Sequence, residues 1–412
     1  MKYWIILVLL LFPTLGVAAP HGGGIALLPL ALAGLFVANK NWRELKREEK
    51  LVLSGLLLVL VTTLLSLFNS EVLYESFKKV ERVLAVALVI PVVLIFIRYR
   101  LNPGPYFSVG LLGACFISFL VAIIQVFYLG YPNALGAYYD IMFGDLTALL
   151  SLIALSWTIL IANNARKKLI GGLAASLALA ACVMADSRGA WLLLLASPVI
   201  LFAINAHKFS KKQVGFSLVG AIAAMGILFS IPAVKQGLTL GLSDIERFIE
   251  NPVMKDRASL TSWGERLNLW RDSIILWKEH PIVGNGLGDF EHRRQELIDQ
   301  NISNLYMSYN HSHSAYFDSL ANTGLLGLVG MLMGLFILPA VFFYRSYKNT
   351  DNAQVRFFAA SGILVVAGFF LFGIGEAWLS RNPMTRAYAL YFAVCFWGVI
   401  WHRFSKIEAG IK

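Results

Sequence analysis

Charge is what this 412-residue sequence has least of. Asp, Glu, Lys and Arg make up 14% of it, where a water-soluble chain carries about a quarter. With 58% hydrophobic residues beside that scarcity, a soluble globular enzyme is excluded. Cysteine is scarce too: Cys115, Cys182 and Cys395 all fall inside apolar runs, so no disulfide framework exists and packing is their expected role. There is no Asp-x-Asp, no His-Glu-x-x-His and no cysteine cluster to bind a metal. A Gly-x-x-x-x-Gly-Lys loop for a nucleotide is absent as well. Neither a low-complexity linker nor a clear internal repeat interrupts the chain.

What is present is a succession of apolar runs near the roughly 20-residue length that crosses a bilayer. The expected fold is all-α: a polytopic integral membrane protein with about twelve transmembrane helices. They fall near 4–20, 24–39, 51–68, 83–98, 105–130, 144–163, 169–186, 190–205, 214–234, 315–343, 357–378 and 386–402. The first run has features of a secretory leader, with Lys2 and Val17-Ala18-Ala19. Pro20 directly after the cut is a poor cleavage context, so the helix is expected to be kept.

Positive charge orients these helices. The alternate loops 39–50, 98–104, 163–169, 206–213 and 344–356, with both termini, hold 20 of the 35 Lys and Arg. Short basic loops stay in the cytoplasm, which puts both termini inside and residues 235–312 outside. The net charge of +11 is then a topology signal, and nucleic acid binding need not be invoked. Three regions follow: 1–234 with helices one to nine, the polar loop 235–312, and 313–412 with helices ten to twelve.

The outside segment has its own pattern. Leu267, Trp270, Ile274 and Trp277 fall at helical spacing over 264–279, an amphipathic helix stopped by His280-Pro281. A glycine-rich turn, 282–290, and a charged helical stretch, Glu291 to Asp299, come next. Gly284, Gly286 and Gly288 lack the βαβ context of a dinucleotide site and read as a tight turn. Gly324, Gly327 and Gly330 predict close helix contact. Since both ends of the segment are tied to membrane helices, it is expected to lie over the bundle as a cap.

The candidate chemistry gathers at the outside face. His313 closes the polar segment in Tyr309-Asn310-His311-Ser312-His313-Ser314, at the lip of an apolar helix. A neutral imidazole there accepts a proton from a hydroxyl nucleophile, with His311 beside it and less firmly placed. Arg188, in the short loop Asp186-Ser187-Arg188-Gly189, and Arg266, at the start of the amphipathic helix, offer planar forks for phosphate oxygens. The competing readings are a salt bridge to Asp186 or snorkelling for Arg188, and an ion pair with Glu265 for Arg266. Asp145 and Glu376, near outside helix ends, are candidate partners for an arginine or a substrate hydroxyl. Arg381 and Arg386 add positive charge for an anionic acceptor. With no metal motif, arginines must carry any phosphate leaving group.

His313-Ser314, nine residues, then Gly324-Leu325-Leu326-Gly327 resembles the histidine motif of the bacterial O-antigen ligases. The similarity runs from Asp186 to Gly330 through the Ser187-Arg188-Gly189 corner, the Arg266 segment and the Pro281-Ile282-Val283-Gly284-Asn285-Gly286 turn. The twelve-span topology with one large periplasmic loop before span ten also looks like that family. The resemblance implies a metal-independent, inverting glycosyltransferase of the GT-C type in the bacterial inner membrane, with no cofactor. Its donor would be undecaprenyl-diphosphate-linked O-antigen and its acceptor a sugar hydroxyl of lipid A–core. His313 would be the general base, and Arg188 and Arg266 would bind the departing diphosphate. An O-antigen polymerase and a protein O-oligosaccharyltransferase are the near alternatives, and a lipid-linked saccharide transporter the distant one. The single sizeable outside loop favours the ligase. The oligomeric state is left open.

Overall fold

The computed structural model describes residues 1–205, 232–250, 262–303 and 309–408, and among them every regular element is a helix. The chain opens with α1 (Lys2–Ala18), α2 (Gly22–Leu35) and a short α3 (Ala38–Arg43). It continues through α4 (Arg47–Ser66), α5 (Leu73–Ala87), α6 (Val89–Tyr99) and α7 (Pro103–Ile123). Next come α8 (Asp140–Leu160), α9 (Ala165–Ala185) and α10 (Arg188–Asn205). The polar segment supplies α11 (Pro232–Glu250), α12 (Ser262–Glu279) and α13 (Phe290–Asp299). α14 (Ala315–Met331), α15 (Leu338–Lys348), α16 (Ala353–Gly375) and α17 (Asn382–Glu408) complete the bundle.

Eight helical stretches among the described residues are long and apolar enough to cross a membrane. Lys2–Ala18, Gly22–Leu35 and Arg188–Ile200 are apolar but shorter, and each coincides with a predicted span. The predicted span at 214–234 lies almost wholly outside the described residues. Among the described residues, eight full-length candidates and three shorter apolar helices thus fall at eleven of the twelve predicted spans. One difference is at α5, which begins at Leu73 rather than near residue 83. Hydropathy excluded its first turns because they carry Lys78, Lys79 and Arg82, yet Lys79 is only 6% exposed. Its ammonium is held by the Asn310 carbonyl at 2.9 Å.

The core forms around α17, which is buried on every face: Tyr388, Tyr391, Phe392, Phe396 and Trp397 are at most 2% exposed. A helix apolar all round has no face to offer water and belongs inside. The ring of Phe392 stacks between Tyr388 and Phe396, with centroids 5.8 and 6.0 Å away. α2, α5, α6 and α16 pack around this helix. Asn102, Asn164 and Asn352 cap α7, α9 and α16 by accepting from Gly104, Lys167 and Val355 amides, satisfying donors that a helix start leaves free.

The polar segment is clamped onto the bundle end by Asp289, which is fully buried. Its carboxylate accepts from Ser70 Oγ at 2.8 Å, from the Glu71 and Val72 amides, and from Ser76 Oγ. Gly286 has φ +113°, and a Cβ there would sit 2.7 Å from Ser70 Cα; the glycine-rich turn is what lets the two backbones meet. The role expected for Gly324 changes. It breaks α14 at φ +64°, ψ −165°, a conformation open essentially to glycine alone. The break lets the turn dock backbone to backbone: Leu325 and Leu326 amides donate to Pro281 and Ile282 carbonyls, and Asn285 and Gly286 amides to Ala321 and Asn322 carbonyls. Gly330, by contrast, does serve close helix contact, facing Thr62 of α4.

α12 spans 262–279, two residues longer at its start than the expected 264–279, and its buried face is not the predicted apolar stripe. Ile274 is exposed, while Asn268, Leu269, Asp272, Ser273 and Leu276 are buried. Asp272 faces inward because Arg294 of α13 and Ser303 donate to it at 3.0 and 2.6 Å. Partners far along the sequence satisfy a polar face that periodicity alone reads as solvated.

Candidate active site at the capped end of the bundle

The segment 309–314 is pinned on all sides. Lys79 holds the Asn310 carbonyl. The Ser312 amide donates to Asp318 Oδ1 at 3.2 Å, and Ser314 Oγ donates to the Gly373 carbonyl at 3.1 Å. Ser380 Oγ completes the set on Asp318 Oδ2 at 3.1 Å, and Arg82 Nη1 donates to the Ser380 carbonyl at 2.7 Å. This network holds His313 at φ +53°, a left-handed conformation that is uncommon outside glycine and persists where surroundings over-determine it.

Glu376 sits where α16 ends, 4% exposed, with three basic side chains around its carboxylate. Arg381 Nε donates to Oε1 at 3.0 Å, His313 Nδ1 lies 3.6 Å from Oε2, and His311 Nε2 lies 4.0 Å from Oε1. Burial alone would push this carboxyl up. The neighbouring His313 imidazole and the Arg381 charge outweigh that and bring it down to about 2, so it is ionised. His311 goes the other way: burial depresses it to about 3, and it is neutral.

By spacing alone, His311, His313 and Glu376 form a trio able to hold a metal. The hydrogen bonding opposes it. The His313 amide donates to His311 Nδ1 at 3.2 Å, so the neutral imidazole carries its proton on Nε2, the atom a metal would need. Arg381 already occupies one oxygen of the carboxylate. The donor set fits a carboxylate balanced by the Arg381 guanidinium better than a metal ligand set.

Glu376 also lines a cavity of about 410 Å³, shared with Asp145, Arg188, Arg266, Trp270 and Phe372. Arg188, the first residue of α10, is exposed and donates through Nη1 to Ser262 Oγ at 3.0 Å. Arg266 is more enclosed: its Nε is buried with no hydrogen-bond partner among the described residues. Burial lowers its pKa and the Glu376 charge raises it again. Trp270 stacks on Phe317 at 5.0 Å, fixing that wall. Asp145 is 1% exposed; its Oδ1 accepts from Ser187 Oγ at 2.8 Å, and a Cβ on Gly189 would come within 2.9 Å of the same atom.

Seven of the eight side chains singled out in the sequence thus lie at this site: Glu376 itself, His311, His313 and Arg381 around its carboxylate, and Arg188, Arg266 and Asp145 in the lining of the same cavity. Arg386 does not join them and pairs with Glu81 at 3.0 Å. Sequence reasoning missed Lys79, Arg82, Asp318 and Ser380. The signal available was two cations three residues apart at the edge of an apolar run, a position where charge is costly unless paired.

Residues 173–332 match the family model described as O-antigen ligase. A protein of Haemophilus influenzae described as uncharacterized is 24% identical over 387 residues, covering 92% of this chain and 93% of that protein. The matched stretch contains Arg188, Arg266 and His313, and it bears out the resemblance to the O-antigen ligases read from the motifs.

Proposed function

We propose that this protein is an O-antigen ligase. It would transfer polysaccharide from undecaprenyl diphosphate to a sugar hydroxyl of lipid A–core at the periplasmic face of the inner membrane. The observation that carries the reading is the shared carboxylate: Glu376 joins the histidine segment to the cavity that holds both arginines.

In this mechanism the acceptor hydroxyl attacks the anomeric carbon as its proton passes to His313 Nε2. The bond from that carbon to the phosphate oxygen breaks, and the electron pair leaves with the diphosphate. Glu376, facing Nδ1 at 3.6 Å, orients the ring so that Nε2 presents its lone pair, and stabilises the imidazolium that forms. Arg188 and Arg266 neutralise the charge developing on the diphosphate. Each fixed donor of this kind is worth about 10²–10³ in rate, and general-base help about 10²–10⁴. No metal enters, because guanidinium groups do the electrostatic work. Glu376 is therefore a positioning residue, with Arg381 balancing its charge, rather than a substrate ligand.

Expression in a strain that lacks its own ligase tests the reading. Wild type should restore the O-antigen ladder on lipopolysaccharide gels. His313→Ala, Arg188→Ala and Arg266→Ala should lose it at normal expression while lipid-linked polymer accumulates. A wild type that extends lipid-linked repeats without restoring the ladder would make the protein a polymerase. A ladder that survives His313→Ala at the wild-type rate removes the base.

A further inference from the structure

A second cavity lies at the opposite end of the bundle. It measures about 310 Å³ and is bounded by α4, α15, α16 and α17. α16 runs from it to the candidate active site: Val355 lines the cavity, and Glu376 directly follows the last residue of the helix. At a rise of about 1.5 Å per residue the two are roughly 31 Å apart, close to the thickness of a bilayer's hydrocarbon core. With Glu376 at one membrane interface, the cavity sits at the other.

Its lining changes character with depth, and does so on three helices. Lys46 stands at the start of α4, and Leu51 follows about one turn further in. α15 runs the other way, with Val341 before Arg345, and so does α17, with Ile400 before Arg403. Each of these walls therefore has charge at the mouth and apolar surface toward the bilayer core. Leu51 and Val341 are exposed, so the floor is open to lipid.

Not every charge there is paired. Arg403 Nη2 donates to both oxygens of the buried Glu49, at 2.9 and 2.7 Å. Lys46 and Arg345 are exposed and form no ion pair among the described residues. Counting Glu48, the lining holds three cations against two carboxylates. Basic loops are expected at a cytoplasmic end, and Arg345 in the last turn of α15 complements the helix dipole. Neither accounts for a slot that sets two free cations above an apolar floor.

A soluble anion would meet the cations and leave the floor in water. The apolar side chain of a second protein would do the reverse. A phospholipid meets both, and the excess of positive charge favours a headgroup with no ammonium of its own. We propose that this slot binds an anionic glycerophospholipid of the leaflet opposite the candidate active site. Its phosphodiester lies between Lys46 and Arg345, and one acyl chain starts along Leu51 and Val341 before entering the bilayer. The assignment does not depend on the ligase reading and requires only a chain embedded in a membrane.

Native mass spectrometry of the full-length protein, titrated with lipid in detergent, tests it. The probes are phosphatidylglycerol, phosphatidylethanolamine and glycerophosphoglycerol, which is the first headgroup without its chains. Wild type should bind phosphatidylglycerol about fivefold or more tightly than phosphatidylethanolamine, and excess glycerophosphoglycerol should not displace it. Lys46→Gln and Arg345→Gln should each weaken phosphatidylglycerol about fivefold, the effect of one basic residue at a lipid surface. Lys167→Gln, at an exposed position near the start of α9 and outside the slot, should change nothing. Lys46→Arg and Arg345→Lys guard against a folding defect: they keep the charges and should retain binding.

Equal affinity for the two lipids overturns the proposal. So does an equal loss in Lys167→Gln, which would make the attraction a diffuse property of the basic face. Displacement by glycerophosphoglycerol as effective as that by intact lipid would give the slot to a soluble anion. A loss in the charge-keeping variants as large as in the glutamine variants would mean that no phosphate was held there, and overturns it as well.

Discussion

His313 Nδ1 faces Glu376 Oε2 across 3.6 Å, and both groups are held by contacts that come from other parts of the chain. The arrangement places a fixed negative charge behind the ring nitrogen opposite the one that takes the proton. Replacing Glu376 with Gln keeps the volume and removes the charge, so the imidazolium formed during transfer loses its counter-charge. Turnover should fall by about 10- to 100-fold, part of the 10²–10⁴ that a general base supplies, with donor KM little changed. The rate-versus-pH profile should also move along its acidic limb. Steady-state rates with lipid-linked donor across pH 5–9 check this, and a glutamine variant with wild-type turnover would remove Glu376 from the mechanism.

His311 gives a stability prediction with a definite sign. Its folded-state pKa is depressed by burial from 6.5 to about 3, so the folded protein binds its proton less readily than the unfolded chain. That contribution to stability is complete above pH 6.5 and is lost as pH falls toward 3. The window from 6.5 to 4.5 isolates it from Glu376, whose own contribution fades only below 4.5 because its folded pKa lies at about 2. Melting temperature in detergent should drop on acidification through that upper window, and His311→Asn should flatten the slope. An unchanged slope in the variant would assign the acid sensitivity elsewhere.

Much of this site is legible in the sequence for a simple reason. A charge or imidazole at the lip of an apolar helix is expensive, so Arg188, Arg266 and His313 stand out without a structure. The hub is harder to see. Glu376 looks like one more carboxylate at a helix end, and its meaning comes from His311, His313 and Arg381 meeting on it in three dimensions. Lys79 is hidden for the opposite reason: a hydropathy reading starts the helix after the charges, although Asn310 makes burial of the lysine tolerable. The inward face of α12 fails the same way, because periodicity counts apolar residues and cannot see that Arg294 and Ser303 satisfy Asp272.

Asp289 should be the residue on which docking of the polar segment most depends. Its carboxylate takes hydrogen bonds from two backbone amides and two serine hydroxyls at the start of α5. Truncation to Ala removes the acceptor these largely part-buried donors share, at a cost of about 1–3 kcal/mol for each that finds no other partner; the Ser70 and Ser76 hydroxyls keep their bond to each other. Asp289→Ala should lower the melting temperature and expose residues 281–303 to protease, and Asp289→Asn should fall between it and wild type. A variant as protease-resistant as wild type would show that the glycine turn at Gly324 suffices to hold the cap.

The two arginines are not equivalent, and lysine substitution should separate them. Arg188 is exposed and already spends one nitrogen on Ser262, so a point charge near the same place recovers much of its effect. Arg266 lines the cavity with a buried Nε–H that has no hydrogen-bond partner among the described residues, and lysine has neither that atom nor the planar fork. Lysine would also be buried beside Glu376, as an ammonium that is more strongly hydrated in water than guanidinium. Arg188→Lys should therefore retain activity within about tenfold, and Arg266→Lys should lose about 10²–10³, the loss typical of one fixed donor at developing charge. The difference should appear in turnover at saturating donor, since charge on the leaving diphosphate builds as the bond breaks. Equal losses at both positions would mean that the arginines act only as charges, and that the geometry around Arg266 contributes nothing to transfer.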